Sequence, residues 1–234
     1  MEERYRQLKM IAENEMEGAS PAHDINHVMR VYNLCLELAK YEPSVDLDIL
    51  RTAALLHDIA RTREDEDAGV LGVDHAILGA EMSDKILRKL GYPEEKIEHI
   101  KHCIASHRFR GENPPRTIEA EILSDADKLD VLGATGIARS FTIGGENGQK
   151  IYSDTPIDEY IKENLVGGKA NGRIKDPSKH ASNLEFETKF KQIPNRLYTQ
   201  KAREIARERL EYMKQFFERL KKEINAQLHT TVNS

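Results

Sequence analysis

The sequence predicts an all-α fold. Three observations carry that expectation. Apolar residues recur at steps of three and four along most of the 234 residues, no run alternates with period two, and Gly, Pro and Asp stand where helices should begin and end. Apolar residues make up 39% and charged ones 32%, which fits a globular chain and excludes a disordered one. A single domain over residues 1–234 is expected, with no internal boundary.

The elements follow in order. Residues from about 26 to 40 place Val28, Val31, Leu34, Cys35 and Leu38 on one stripe, closed by Glu42-Pro43-Ser44. Ile49, Ala53, Leu56, Ile59 and Ala60 form the next stripe, from about 46 to 60. Asp74 suits the N-cap of a helix to about residue 90, with Ile77, Leu78, Met82, Ile86 and Leu90 inside and Gly91 at its C-terminal cap. Pro93 suits the first turn of a helix reaching about 107, with Ile97, Ile100 and Ile104 inside. Pro114-Pro115 separates it from a helix over about 117–132. Residues 133–180 hold eight of the 14 glycines together with Lys150, Lys169, Arg173, Lys175 and Lys179, so they read as a Gly/Lys-rich loop region interrupted by a short helix at about 156–166. From about 142 to 180 this loop is expected to be mobile and to order around a phosphate-rich ligand. A long closing helix over about 196–227 carries Ala202, Ile205, Leu210, Met213, Phe216, Phe217, Leu220 and Ile224 on one face.

Composition narrows the function. A net charge of −5 argues against a general nucleic-acid binder, and no sequence-specific nucleic-acid partner is expected. No apolar stretch approaches ~18 residues, so no membrane span is expected. The first residues, Met1-Glu2-Glu3-Arg4-Tyr5, carry no apolar run of the kind a secretory signal needs. Cys35 and Cys103 sit in apolar helical patterns, as reduced core thiols of a cytoplasmic chain would.

Histidine is the informative residue type. Seven of the nine histidines lie between His23 and His107. His57-Asp58 closes the apolar run Ala53-Ala54-Leu55-Leu56. Adjacent residues diverge by about 100° on a helix, so the two share an ion only where both lean over a helix end. His27 starts an amphipathic helix, and Asp127 sits at the margin of the apolar face made by Ile122, Leu123, Ala126 and Leu129, where a carboxylate must find a partner. His27, His57, Asp58 and Asp127 together supply neutral or anionic ligands for a divalent ion with open positions.

These residues carry a family resemblance. His27-Val28-Met29-Arg30-Val31, Ala53-Ala54-Leu55-Leu56-His57-Asp58-Ile59-Ala60 and Ala126-Asp127-Lys128-Leu129 resemble the H…HD…D signature of the HD-domain metal-dependent phosphohydrolases, over a core of about 23–130. His23-Asp24-Ile25-Asn26-His27 and the final helix, with Thr199, Ala202-Arg203, Ala206 and Arg209, are similar to small stand-alone bacterial and archaeal members, some of which are nucleotide diphosphatases. The resemblance implies an HD-type helical bundle with His27, His57, Asp58 and Asp127 as metal ligands. It implies hydrolysis of a phosphate ester or anhydride by metal-activated water, most naturally of a nucleotide, with a nucleoside triphosphate giving monophosphate and diphosphate. Alternatives from other classes are a 5′-nucleotidase or phosphodiesterase, a metal-dependent nucleotide sensor without turnover, and a di-iron oxygenase. Mn, Ni, Co, Fe, Zn and Mg are the candidate metals, imidazole arguing against Mg as the tightest binder. A homodimer is compatible with the sequence.

Single residues carry further expectations. His75 and His107 resemble the extra ligands of binuclear members, yet a mononuclear site is favoured, because Gly79 rather than a carboxylate stands one turn from His75. In that reading Asp58, His75, His107 and Lys128 do catalytic work, the histidines as phosphate contacts or general acid. Arg61, Arg63, Lys128 and Arg139 are the candidate phosphate cations. Asp24 is either the carboxylate orienting His27 or an N-cap. Asp125, about 200° from Asp127, should not share the ion. His99 and His102 read as partly exposed helix residues, and His180 and His229 carry no signal. Gly91-Tyr92-Pro93 is not read as a cyclic-dinucleotide phosphodiesterase motif, because it precedes His107 and no His-His-Glu run comes before it.

Overall fold

The computed structural model describes residues 2–67, 72–108 and 113–226. The last position of the 196–227 helix and His229 lie outside them. Among the described residues the fold is helical, with two isolated β-bridges and no longer strand. None of these helices is long and apolar enough to cross a membrane. The chain forms two compact units, residues 1–130 with 197–203, and residues 131–196 with 204–234.

The first unit contains α1 (Glu2–Glu15), α2 (Ile25–Ala39), α3 (Leu47–Leu56), α4 (Arg61–Asp67), α5 (His75–Lys89), α6 (Glu94–Ser106) and α7 (Ile118–Asp130). Asp24, Asp46 and Asp74 cap α2, α3 and α5, each side chain accepting from backbone N–H groups of the first turn. Helix α3 is the hub, packed against α1, α2, α6 and α7. Leu38, Leu50, Leu56, Ile59, Ile100, Ile104, Ile122 and Leu129 are fully buried. Each such side chain contributes about 1.5–3 kcal/mol of hydrophobic stabilisation. The sequence reading has no helix at α1, whose charges dilute its stripe. Tyr5, Leu8 and Ala12 are nevertheless buried, and the Arg51 guanidinium lies 3.7 Å from the Tyr5 ring centroid while the Tyr5 hydroxyl donates to Asp48.

The second unit contains α8 (Gly133–Glu146), α9 (Ile157–Asn164), α10 (Ser182–Thr188) and most of α11 (Gln200–Ile224), whose first turn belongs to the first unit. The expected loop over 133–180 is corrected here, since its first 14 residues are helical. Its glycines answer crowding. A Cβ on Gly136 would lie 2.0 Å from the Val131 carbonyl oxygen, and Gly133 adopts a φ of +73° that L side chains resist. The rest of the stretch has a bonded frame. Asn164 Nδ2 donates to the Asp176 carbonyl, the Asp176 N–H donates to Asn164 Oδ1, and Val166 N–H donates to the Arg173 carbonyl. His180, silent in the sequence, is buried with Nδ1 2.5 Å from the Tyr160 hydroxyl. The closing helix starts at Gln200 rather than about 196, because Phe190–Arg196 forms 3-10 turns around Pro194.

Candidate metal centre

Five elements of the first unit deliver the site. His27 stands in the first turn of α2 and Asp127 in the last turn of α7. His57 is the C-cap of α3, and Asp58 follows in the turn, so neighbours in sequence reach one place past the helix end. His75 opens α5 and His107 caps the C-terminus of α6. All but Asp127 are almost fully buried, and the Asp127 side chain is 24% exposed, which marks the accessible edge.

The ring nitrogens are sorted by their partners. His27 Nδ1 lies 2.8 Å from Asp130 Oδ2, and His75 Nδ1 lies 2.7 Å from Glu64 Oε2. His57 Nδ1 donates to the Ala54 carbonyl at 2.9 Å, and His107 Nδ1 donates to the Ile104 carbonyl at 2.6 Å. A carbonyl accepts only, and so does an ionised carboxylate, so each Nδ1 carries a proton. In a neutral ring Nε2 then presents a lone pair to the centre. His57 Nε2 is buried without a hydrogen-bond partner. Burial pushes the His57 pKa down to about 4 despite the nearby Asp58 charge, which keeps the ring neutral.

The carboxylates complete the set. Asp58 Oδ2 lies 3.4 Å from His27 Nε2 and 3.7 Å from His57 Nε2. Asp58 Oδ1 lies 3.3 Å from His75 Nε2 and 3.6 Å from His107 Nε2. Asp127 Oδ1 lies 3.4 Å from His27 Nε2. Burial alone would raise both carboxyl pKa values, but the surrounding imidazoles hold Asp58 and Asp127 well below the usual range. Burial would lower the His107 pKa, yet the nearby Asp58 and Asp127 carboxylates raise it. His75 Nε2 and His107 Nε2 face each other at 3.3 Å. Such a convergence of acceptors is costly unless a cation lies among them, and its imidazole and carboxylate chemistry fits a first-row divalent metal. The ligand atoms fall into two groups, one of His27, His57 and Asp127 and one of Asp58, His75 and His107, each spanning less than 4.8 Å. A third group, Glu64, Asp74 and His75, already holds a cation, since Arg108 pairs with Glu64 and Asp74 at 2.8 Å each.

The other expected residues are distributed as follows. Asp24 caps α2 through the Asn26 and His27 N–H groups, and Asp130 lies against the His27 ring. Asp125 turns away and accepts from the Tyr198 and Thr199 N–H groups and the Thr199 hydroxyl. Lys128 is buried and donates to the Ser124 carbonyl at 3.0 Å and to the Ser124 hydroxyl. Arg61 binds Glu64 at 3.0 Å, while Arg63 is half exposed and pairs with Glu15 of α1. Arg139 is buried in the second unit. His99 binds Thr117 and Glu119, His102 Nε2 accepts the Arg116 N–H, and Tyr92 is core, bonded to Thr52. The sequence reading does not find Asp130 or Glu64. One signal was available for the first: Arg30 follows His27 by the same three-residue step by which Asp130 follows Asp127.

The chain is similar to several known proteins. Residues 24–132 match the HD domain family. The YpgQ protein of Bacillus subtilis is 29% identical over 222 residues, covering 93% of this chain and 92% of that protein. Its crystal structure in complex with ADP superimposes with a TM-score of 0.69 at 26% identity, over 94% of this chain and 97% of that one. A Bacillus thuringiensis HD-superfamily hydrolase is 30% identical with a TM-score of 0.68, over 97% of this chain and 99% of that one. The 3′-5′ exoribonuclease YhaM of Bacillus velezensis is 32% identical over 117 residues, but this match spans only 37% of that protein and 44% of this chain.

Proposed function

As the chain belongs to the HD superfamily of metal-dependent phosphohydrolases, we propose that it hydrolyses a phosphate anhydride or ester of a small nucleotide, with a nucleoside triphosphate giving monophosphate and diphosphate. The observation that carries the reading is the division of the Asp58 carboxylate between two histidine pairs. It supports two cation positions, one held by His27, His57, Asp58 and Asp127, the other by Asp58, His75 and His107. The sequence reading favours one position because the helix of His75 offers no carboxylate. Asp58, from the turn after α3, supplies that carboxylate at 3.3 Å.

Divalent ions bound here would polarise a phosphoryl oxygen and lower the pKa of a water. The chain's own residues do the rest. Carbonyls and carboxylates on every Nδ1 keep the imidazoles oriented, so their lone pairs are organised before a ligand arrives. The exposed edge at Asp127 is where a phosphate group can enter, whereas His57 is fully buried. The ADP held by YpgQ, a relative of nearly the same length, supports a nucleotide as the entering group.

The test is metal analysis of chain loaded in turn with Mn, Ni, Co, Fe, Zn and Mg, then a panel of nucleotides, a phosphodiester and a short RNA with product identification. The expected result is metal-dependent release of monophosphate and diphosphate from a triphosphate. Phosphate from monophosphates, mononucleotides from the RNA, binding without turnover, or oxygen uptake with reduced iron would each replace this reading with another.

A further inference from the structure

Helices α2 and α7 meet in matched register at the centre. His27 and Arg30 lie three residues apart on α2, and Asp127 and Asp130 three apart on α7, so each pair shares a helix face. His27 faces both carboxylates, with Nε2 3.4 Å from Asp127 Oδ1 and Nδ1 2.8 Å from Asp130 Oδ2. Arg30 grips Asp130 with two prongs, Nε to Oδ1 at 2.8 Å and a terminal nitrogen to Oδ2 at 3.0 Å. Asp130 is 1% exposed.

His27 has two ways to satisfy itself. With its proton on Nε2 it would donate to Asp58 or Asp127, and the centre would close on an internal hydrogen bond. With its proton on Nδ1 it donates to Asp130, and the Nε2 lone pair stays turned toward the ligand set. The fold alone decides this question for His57 and His107, whose Nδ1 partners are backbone carbonyls three residues back. For His27 a side chain decides it. The Arg30 fork holds both Asp130 oxygens in place, so that Oδ2 is aimed at the His27 ring.

We propose that Asp130, locked by Arg30, is the positioning residue that fixes which nitrogen of His27 faces the cation. The proposal rests on the metal-centre reading and adds a residue to it. The bond from the His27 ring to Asp130 couples ion seating to the packing of α2 on α7.

Two measurements on the full-length chain test it. In metal-stripped protein, nitrogen-resolved NMR of the imidazoles should find the His27 proton on Nδ1, and in Asp130→Ala it should shift to Nε2. Mn2+ titration without substrate should show Asp130→Ala binding about 10–100-fold more weakly than wild type. Asp130→Asn, which keeps an accepting oxygen, should recover part of that loss. If Asp130→Ala does not fold with Arg30 left unpaired, Asp130→Ala/Arg30→Gln removes both charges and should show the same tautomer shift. In a His27→Ala background Asp130→Ala should weaken Mn2+ no further. An unchanged His27 tautomer, or an equal additional loss without His27, would overturn the proposal. Wild-type protein that binds no Mn2+ would instead overturn the metal-centre reading, and the NMR arm would still decide the role of Asp130.

Discussion

Oδ1 of Asp58 lies 3.3 Å from Nε2 of His75, although the two residues come from separate elements. Its other oxygen faces His27 at 3.4 Å. One carboxylate therefore stands between two sets of imidazole lone pairs. Asp58 belongs to both cation positions and each histidine to one, which makes the ligands unequal in what their removal should do.

Asp58→Ala should abolish metal binding and turnover, and His57→Ala should remove the ion on its own side with most of the activity. Both variants should keep their helical content, because the hydrophobic core of α3 ends at Leu56, before either residue. Inductively coupled plasma analysis with far-ultraviolet circular dichroism checks this. Full metal content and wild-type turnover in either variant would remove that residue from the centre.

Two glycines of α8 should respond in opposite directions. Gly136→Ala pushes a methyl group into the Val131 carbonyl, 2.0 Å away, and should lower stability by about 1–3 kcal/mol or more. Gly145→Ala meets no atom within 4 Å in the same helix and should raise it by about 0.5–1 kcal/mol. Urea denaturation of both variants gives the sign directly.

The acid side of the stability profile should carry a signature of Glu185. Burial would raise its pKa, but Lys189 at 2.8 Å and the His180 ring at 3.7 Å lower it to about 2 from 4.5. A depressed carboxyl pKa contributes stability above the unfolded value, and this is lost as pH falls from about 4.5 toward 2. Glu185→Gln should therefore be less stable than wild type at pH 7, on the order of 2 kcal/mol. The two proteins should converge near pH 2. A constant gap across that range would assign the loss to packing instead.

Much of this was readable before the structure, for identifiable reasons. His27, Asp58 and Asp127 stand at helix ends or first and last turns, where capping residues and apolar periodicity locate them. Asp130 and Glu64 escaped because their roles depend on which helix faces which, and no periodicity within one helix reports that. The same limit applies to His75, since the carboxylate near it comes from the turn after α3 and not from its own helix. Helix α8 was lost to composition. Glycines counted as flexibility turned out to serve a tight turn at Gly133 and a close backbone approach at Gly136. Arg61 has the charge a phosphate contact needs, and the sequence does not show that Glu64 engages it.

The most direct test of the account is a metal count on wild type and on His75→Ala/His107→Ala, each loaded with Mn2+ and freed of excess. The account predicts two equivalents in wild type and one in the double variant, with turnover lower by about 10²–10⁴-fold. One equivalent in both proteins would contradict it and leave His75 and His107 as side chains that act on substrate without holding an ion.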